Sequence, residues 1–410
     1  MSAGIDKPTA DASQVDTVEL DITDVGYGGK GVARHDGCVY FVRGAMLGER
    51  IRARVRHRHK SFIDAELLEV LSPSPDRIEP ACPLADVCPG CAYQHSTYAA
   101  ELQTKHMQLG SLLERIGKVS ADCLQPPTPS PEELGYRNKI TLHASADGDQ
   151  AVLGYIGEDN KSVFDVPACP LAGPEINEAL AHLRASGRRM KGLATGDTIT
   201  LRHTPADGVH VMEGGKTGKQ DRLMEQTPIG DLRVPVRGFF QVNVPVANMV
   251  LERVMALLAE INPSRVVDLY CGSGVFTLAA SHCGVEWSVG VDTSHSGIRA
   301  AHRNAVKLGL EGLEFISGPV ENALHEVLPI EAMPTTTVIV DPPRRGLSKR
   351  VIDGLIQAKP ANILYLSCAA DTLARDIARF AAAGYTIRQA QLFDMFPRTA
   401  LFETLAWMSR

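Results

Sequence analysis

The chain has 410 residues, 44% of them hydrophobic and 22% charged, which is enough for two or three globular cores and too many for one. A formal net charge of −6 excludes a global nucleic-acid footprint, so any RNA or DNA contact must come from local basic surface. No apolar run reaches the roughly 18 residues of a membrane span. The polar start MSAGIDKPTADASQVD reads as a loose tail over residues 1–16, not a signal peptide. Nine cysteines, four of them clustered, fit a reducing cytoplasm.

Residues 17–72 read as all-β. VELDITDV alternates, GYGGKG supplies a turn, CVYFV is a short buried run, and GERIRARVRHRHK alternates again. In that last segment Arg52, Arg54, Arg56, Arg58 and Lys60 recur every second residue. Period two places them on one strand face, a positive stripe suited to phosphates. An edge strand guarded by charge is the alternative. LSPSPDRIEPACP is a proline-rich boundary, residues 98–118 read as a helix with a rough apolar face, and QPPTPSPEELGYR is a second linker. From 136 to 235 the pattern is strand-rich and irregular, so residues 73–235 make a central unit.

Across residues 236–410 strands and helices alternate, which predicts a doubly wound parallel α/β sheet. The last two strands, TIRQAQLFD and ALFETLAWM, have no helix between them, so one of them should run antiparallel. In VVDLYCGSGVF a glycine turn follows a strand and opens a helix, and Gly272 and Gly274 let backbone approach a ligand. Thr277 stands where a dinucleotide fingerprint would have its third glycine. Asp268 suits a cationic amino-acid moiety, and Asp292, ending the next strand, suits ribose hydroxyls. S-adenosylmethionine has both features; a purely structural tight turn is the alternative.

VIVDPPRRGL puts Asp341 at the carboxyl end of a buried strand, the edge where open α/β sheets bind ligands. ILYLSC puts Cys368 on the same edge. Core packing is the common fate of cysteine, but a thiol at a methyl-donor crevice suits nucleophilic catalysis. Uracil C5 is a poor nucleophile until a thiolate adds to C6, and a base must afterwards remove the C5 proton. Glu403, set among apolar residues in the final strand, is the candidate base; a solvent-facing glutamate is the alternative. Phe239 and Phe240 are aromatic candidates for stacking on a base or for the core.

GFFQVN, DLYCGSG, DPPRRGL, LSC and DMFPRTALFET occur in the order found in RNA uracil-C5 methyltransferases, and the chain resembles that family over nearly its whole length. The resemblance implies a C-terminal Rossmann-like class I methyltransferase domain and an N-terminal OB-like TRAM barrel that binds RNA. It implies that Cys368 is the nucleophile, that Glu403 is the base, and that Gln241, Tyr270, Asp292 and Asp341 line the S-adenosylmethionine site. The helix at 98–118 is then expected to pack on the catalytic domain. Departures are Ala369 and Ala370 where Asn-Pro is usual, Pro319 in place of a polar residue, Leu401 where a histidine is common, and Arg398 after Phe-Pro.

Cys82, Cys88 and Cys91 form a C-x5-C-x2-C run, and Cys169 lies in a second ACPLA. Three close thiolates with one distant partner suit a four-thiolate iron–sulfur cluster, and the family points to [4Fe–4S]; zinc is the alternative. The chain is thus expected to be a cytoplasmic, monomeric enzyme that methylates uridine in RNA, 23S rRNA before tRNA. Its rivals are a non-catalytic RNA-binding relative and an amino-group base methyltransferase.

Overall fold

The structure, a computed structural model, describes residues 16–147, 150–214, 221–328 and 334–410. The tail expected at 1–16 lies, but for Asp16, outside them. In the C-terminal part, short apolar runs form strands β1 (Arg265–Leu269), β2 (Trp287–Asp292), β3 (Leu313–Ser317), β4 (Thr336–Val340), β5 (Asn362–Ser367), β6 (Thr386–Phe393) and β7 (Glu403–Ser409). They lie in the order β3-β2-β1-β4-β5-β7-β6. Neighbours from β3 through β5 pair parallel, and β7 runs antiparallel to both β5 and β6. β4 is buried at every residue, as a strand covered by helices on both faces must be. Chain order reverses between β1 and β4, which opens a crevice at their carboxyl ends.

Helix Tyr98–Leu112 continues through a wider turn, Leu113–Gly117, and belongs to this domain in space. Leu109 and Leu113 share one buried core with Leu373, Ile377 and Val340. The attachment is also ionic. Fully buried Lys105 donates to Glu101 Oε1 (2.7 Å) and to Asp394 Oδ1 (2.8 Å), so one cation bridges carboxylates from two distant segments.

The N-terminal strands form a six-stranded sheet around Leu20, Tyr40, Val42, Ile51 and Ile63. That agrees with an OB-like half-barrel. Strand Arg50–Arg58 is not at its edge. It pairs with Thr17–Asp21 on one side and Ile63–Ser72 on the other, so the charged-edge alternative falls. The central sheet has five strands, and helix Pro174–Ala185 buries Ile176, Leu180 and Leu183 against it. That helix, and Val320–Val327 after β3, were not predicted. Each opens beside proline, at Gly173–Pro174 and at Pro319, which reads as a break in the sequence. A hairpin, Arg222–Thr227 with Gly230–Pro235, reaches the catalytic domain. Asn304 accepts the Arg233 N–H (2.9 Å) and donates to the Arg233 carbonyl (3.1 Å).

Candidate active site

The turn after β1 has positive φ at Tyr270, Gly272 and Gly274 (68°, 57° and 78°). The two glycines serve different ends. A Cβ on Gly272 would point into open space, whereas one on Gly274 would come within 2.7 Å of Ala301 and the Phe315 ring. Gly272 therefore leaves room for a ligand, and Gly274 lets the turn pack on helix His295–Leu308 and β3. A cleft opens there, lined by Phe240, Gln241, Tyr270, Gly272, Ser273 and Asp341 among others. Phe239 stands 72% exposed at the cleft, while Phe240, also lining it, packs on the cluster of Val234 and Val236.

Asp268 and Asp292 are not among the residues lining the cleft. Asp268 is fully buried, and its Oδ2 accepts both the Thr277 N–H (3.0 Å) and hydroxyl (2.7 Å), tying β1 to the next helix. Its Oδ1 is buried without a partner, and burial raises the carboxyl to about 7. Asp292 accepts the Gly272 N–H through Oδ2 (3.0 Å) and the Ser294 N–H through Oδ1 (2.6 Å), which fixes the turn from the next strand.

Cys368 follows β5 and is half-buried. Ser367 shapes its turn, its Oγ accepting the Ala369 N–H (3.2 Å) and donating to the Ala369 carbonyl (3.1 Å). Glu403 opens β7 opposite Phe393 of β6 and is 3% exposed, so it does not face solvent. Its Oε2 is buried without a partner. Burial, then the negative charge of Asp341, push its carboxyl well above the ordinary range, with Arg344 opposing. Burial also raises the Cys368 thiol to about 11; the Glu403 charge adds to this and Arg344 opposes it. Asp341 is raised to about 7 by burial and by Asp268 and Asp292. One cation, Arg344, thus sits within electrostatic reach of both Cys368 and Glu403. It lies in DPPRRGL, where nothing in the local sequence marks its charge as part of a site.

These directions predict a thiol that is mostly protonated at rest. Alkylation of Cys368 by iodoacetamide, followed by mass spectrometry, should still climb about tenfold per pH unit from pH 8 to 10. A plateau near pH 9 would contradict the arrangement.

The loop leading into Glu403 is gripped from the cysteine segment. Arg398, at φ 67°, accepts the Ala92 N–H (2.8 Å) and Tyr93 N–H (3.1 Å) on its carbonyl. Its guanidinium donates to the Ser96 carbonyl (2.6 Å) and pairs with Glu133. Cys82, Cys88, Cys91 and Cys169 are free and half-buried. Burial raises the first three, Cys91 to about 12, and the Cys169 charge contributes to each. Among the described residues no three His, Cys, Asp or Glu side chains converge to hold a single metal ion. Arg43 clamps this segment by donating to the Cys88 carbonyl (2.5 Å) and pairing with Glu158.

The arginine stripe is paired. Arg52 meets Glu19 and Glu69, Arg54 and Arg56 meet Glu66, and Arg58 meets Asp16. Lys60 lies beyond the end of the strand at Arg58.

Residues 219–410 match the family described as tRNA (Uracil-5-)-methyltransferase. Over 438 residues, the chain is 31% identical to the 23S rRNA (uracil(1939)-C(5))-methyltransferase RlmD of Alkalilimnicola ehrlichii, covering 96% of each. The chain belongs to the RNA uracil-C5 methyltransferase family. It is therefore an RNA methyltransferase. An uncharacterized RNA methyltransferase of Thermosynechococcus vestitus is 29% identical over 444 residues, 96% of this chain and 98% of the relative. The fold matches that of the Pyrococcus abyssi tRNA (uracil-54, C5)-methyltransferase solved with S-adenosyl-L-homocysteine, at TM-score 0.74 and 24% identity, over 95% of this chain and all of that one. No described helix is long and apolar enough to cross a membrane.

Proposed function

We propose that this family member methylates C5 of uridine in 23S rRNA, with S-adenosylmethionine as donor. The observation that carries the reading is the pairing of a half-buried thiol, Cys368, with a buried carboxyl, Glu403, at the ligand edge of the sheet. The site residues fit the donor. Gly272 leaves open space, Asp268 Oδ1 is an unpartnered buried acceptor, and Asp292 keeps lone pairs beyond the two N–H groups it accepts. Gln241, Tyr270 and Asp341 line the cleft beside Gly272. Bound there, the donor supplies a methyl group on a positively charged sulfur.

Cys368 Sγ, once deprotonated, would add to C6 of uracil and push electron density onto C5, which would take the methyl group as the donor's sulfur–methyl bond breaks and a neutral thioether leaves. Glu403, as carboxylate, then removes the C5 proton. The Sγ–C6 bond breaks as the C5–C6 double bond returns, and Cys368 leaves as thiolate. Burial disfavours the ionised form of both groups. Arg344 is the cation placed to favour both ionised forms. The target uridine has to leave its stack to reach this crevice. Exposed Phe239 is placed to receive it. The arginine stripe would hold phosphates by exchanging its carboxylate partners, since exposed ion pairs are worth about 1 kcal/mol or less.

RNA tritiated at uridine C5 should release tritium only when the donor is present. Methylation without release would show amino-group chemistry and overturn the reading. In a deletion strain, 5-methyluridine should vanish from 23S rRNA; loss from tRNA alone would overturn the rRNA assignment.

The four cysteines are proposed to hold a [4Fe–4S] cluster. Such a cluster would take one thiolate on each of four irons, so the four need not converge on one point, and the influence of the Cys169 charge on Cys82, Cys88 and Cys91 supports this reading. Methyl transfer moves no net electrons, so such a cluster would hold this segment in place or position RNA, and would not carry redox chemistry. Anaerobically purified protein should contain about four irons and four sulfides per chain; zinc with neither would refute this.

A further inference from the structure

The turn Gly26–Gly29 of the N-terminal sheet is fixed by residues of another domain. Buried Gln108, on helix Tyr98–Leu112, donates through Nε2 to the Gly26 carbonyl (2.8 Å) and the Val25 carbonyl (3.1 Å). Gly29 lies so near the cysteine segment that a Cβ on it would come within 2.6 Å of Ala92 Cβ. The turn therefore has one seat against the catalytic domain. Tyr27 projects from it into the site. Its hydroxyl oxygen accepts the Ala370 N–H (3.1 Å), and its ring meets Phe402 edge-on, at 6.0 Å between centroids and 78°.

Ala370 lies two residues after Cys368, and Phe402 immediately precedes Glu403. One side chain thus touches the nucleophile turn and the base strand together. The helix Ala370–Ala382 has need of it. Its N-cap is Ala369, which has no side chain to accept the free N–H groups of the first turn. Ser367 accepts the Ala369 N–H and Tyr27 accepts the next.

We propose that Tyr27 is a positioning residue through which the N-terminal sheet fixes the Cys368 turn, a role separate from any contact that sheet makes with RNA. The proposal rests on reading Cys368 as the nucleophile. Two variants remove the same hydrogen bond from opposite ends. Tyr27→Phe keeps the ring on Phe402 and loses the acceptor. Ala370→Pro loses the donor, at a first helical position where proline is accommodated.

Each variant should lower kcat by roughly threefold to tenfold, the size of one lost hydrogen bond, with KM for RNA unchanged. Each should change the rate of Cys368 alkylation by iodoacetamide in the protein without RNA or donor. The double variant should match the single ones, because the bond can be lost only once. A change in KM alone, an unchanged alkylation rate in both variants, or effects that multiply would overturn the proposal. Alkylation needs no turnover, so it separates the two readings. If Cys368→Ala methylated normally, the nucleophile reading would fail while the coupling of Tyr27 to the turn would still be measured.

Discussion

Cys368→Ala should abolish donor-dependent tritium release from RNA labelled at uridine C5, by roughly 10⁴-fold or more, the usual cost of removing a covalent nucleophile. Without a sulfur to add at C6, C5 stays too poor a nucleophile to accept the methyl group, and nothing else in the cleft can replace it. Cys271, the other thiol near the turn after β1, is buried and pushed well above its ordinary pKa by burial and then by Asp268. The change removes one atom from a half-buried side chain, so RNA binding and thermal melting should be unchanged. Undiminished release by the mutant would remove the cysteine from the mechanism.

Glu403→Gln should stall the reaction at a later point. Addition at C6 and methylation of C5 need no base at residue 403, but loss of the C5 proton does. A protein–RNA adduct joined through Cys368 should then accumulate, survive denaturing electrophoresis and retain its tritium. Glu403 is buried with its ionised form disfavoured, so above the ordinary carboxylate pKa the wild-type fold bears a cost that glutamine does not. The variant should melt no lower than wild type at neutral pH. At alkaline pH, where Glu403 is ionised in the wild type, losing its charge should let Cys368 ionise more readily, so alkylation should speed up there. Normal turnover with no adduct would show that another group takes the proton.

The parallel sheet was legible because each strand is a short apolar run closed by a glycine, proline or helix start, and because DLYCGSG, DPPRRGL and LSC all end such runs. The antiparallel β7 was legible from the missing helix before it. What sequence could not show was register. The arginines of strand Arg50–Arg58 are plain in the sequence, but Glu19, Glu66 and Glu69 become their partners only when three strands align. Tyr27 carried no local signal, since a tyrosine in a glycine turn reads as surface. Its neighbours Ala370 and Phe402 lie more than 340 residues away. Arg344 was missed for a different reason: its charge matters only beside the carboxyl and thiol that the fold brings to it.

Helix Tyr98–Leu112 bears on how this enzyme can be divided. The matching family segment begins at residue 219, which suggests a cut between an RNA-holding front half and a catalytic back half. That cut would strip Leu109 and Leu113 from the core around Leu373 and Ile377, and leave Asp394 buried without Lys105. Residues 219–410 cut free of that helix should therefore fold less stably than the whole chain. The final strand pair is joined to a helix translated nearly 290 residues earlier, so Asp394 meets its buried cation only after most of the chain has been made.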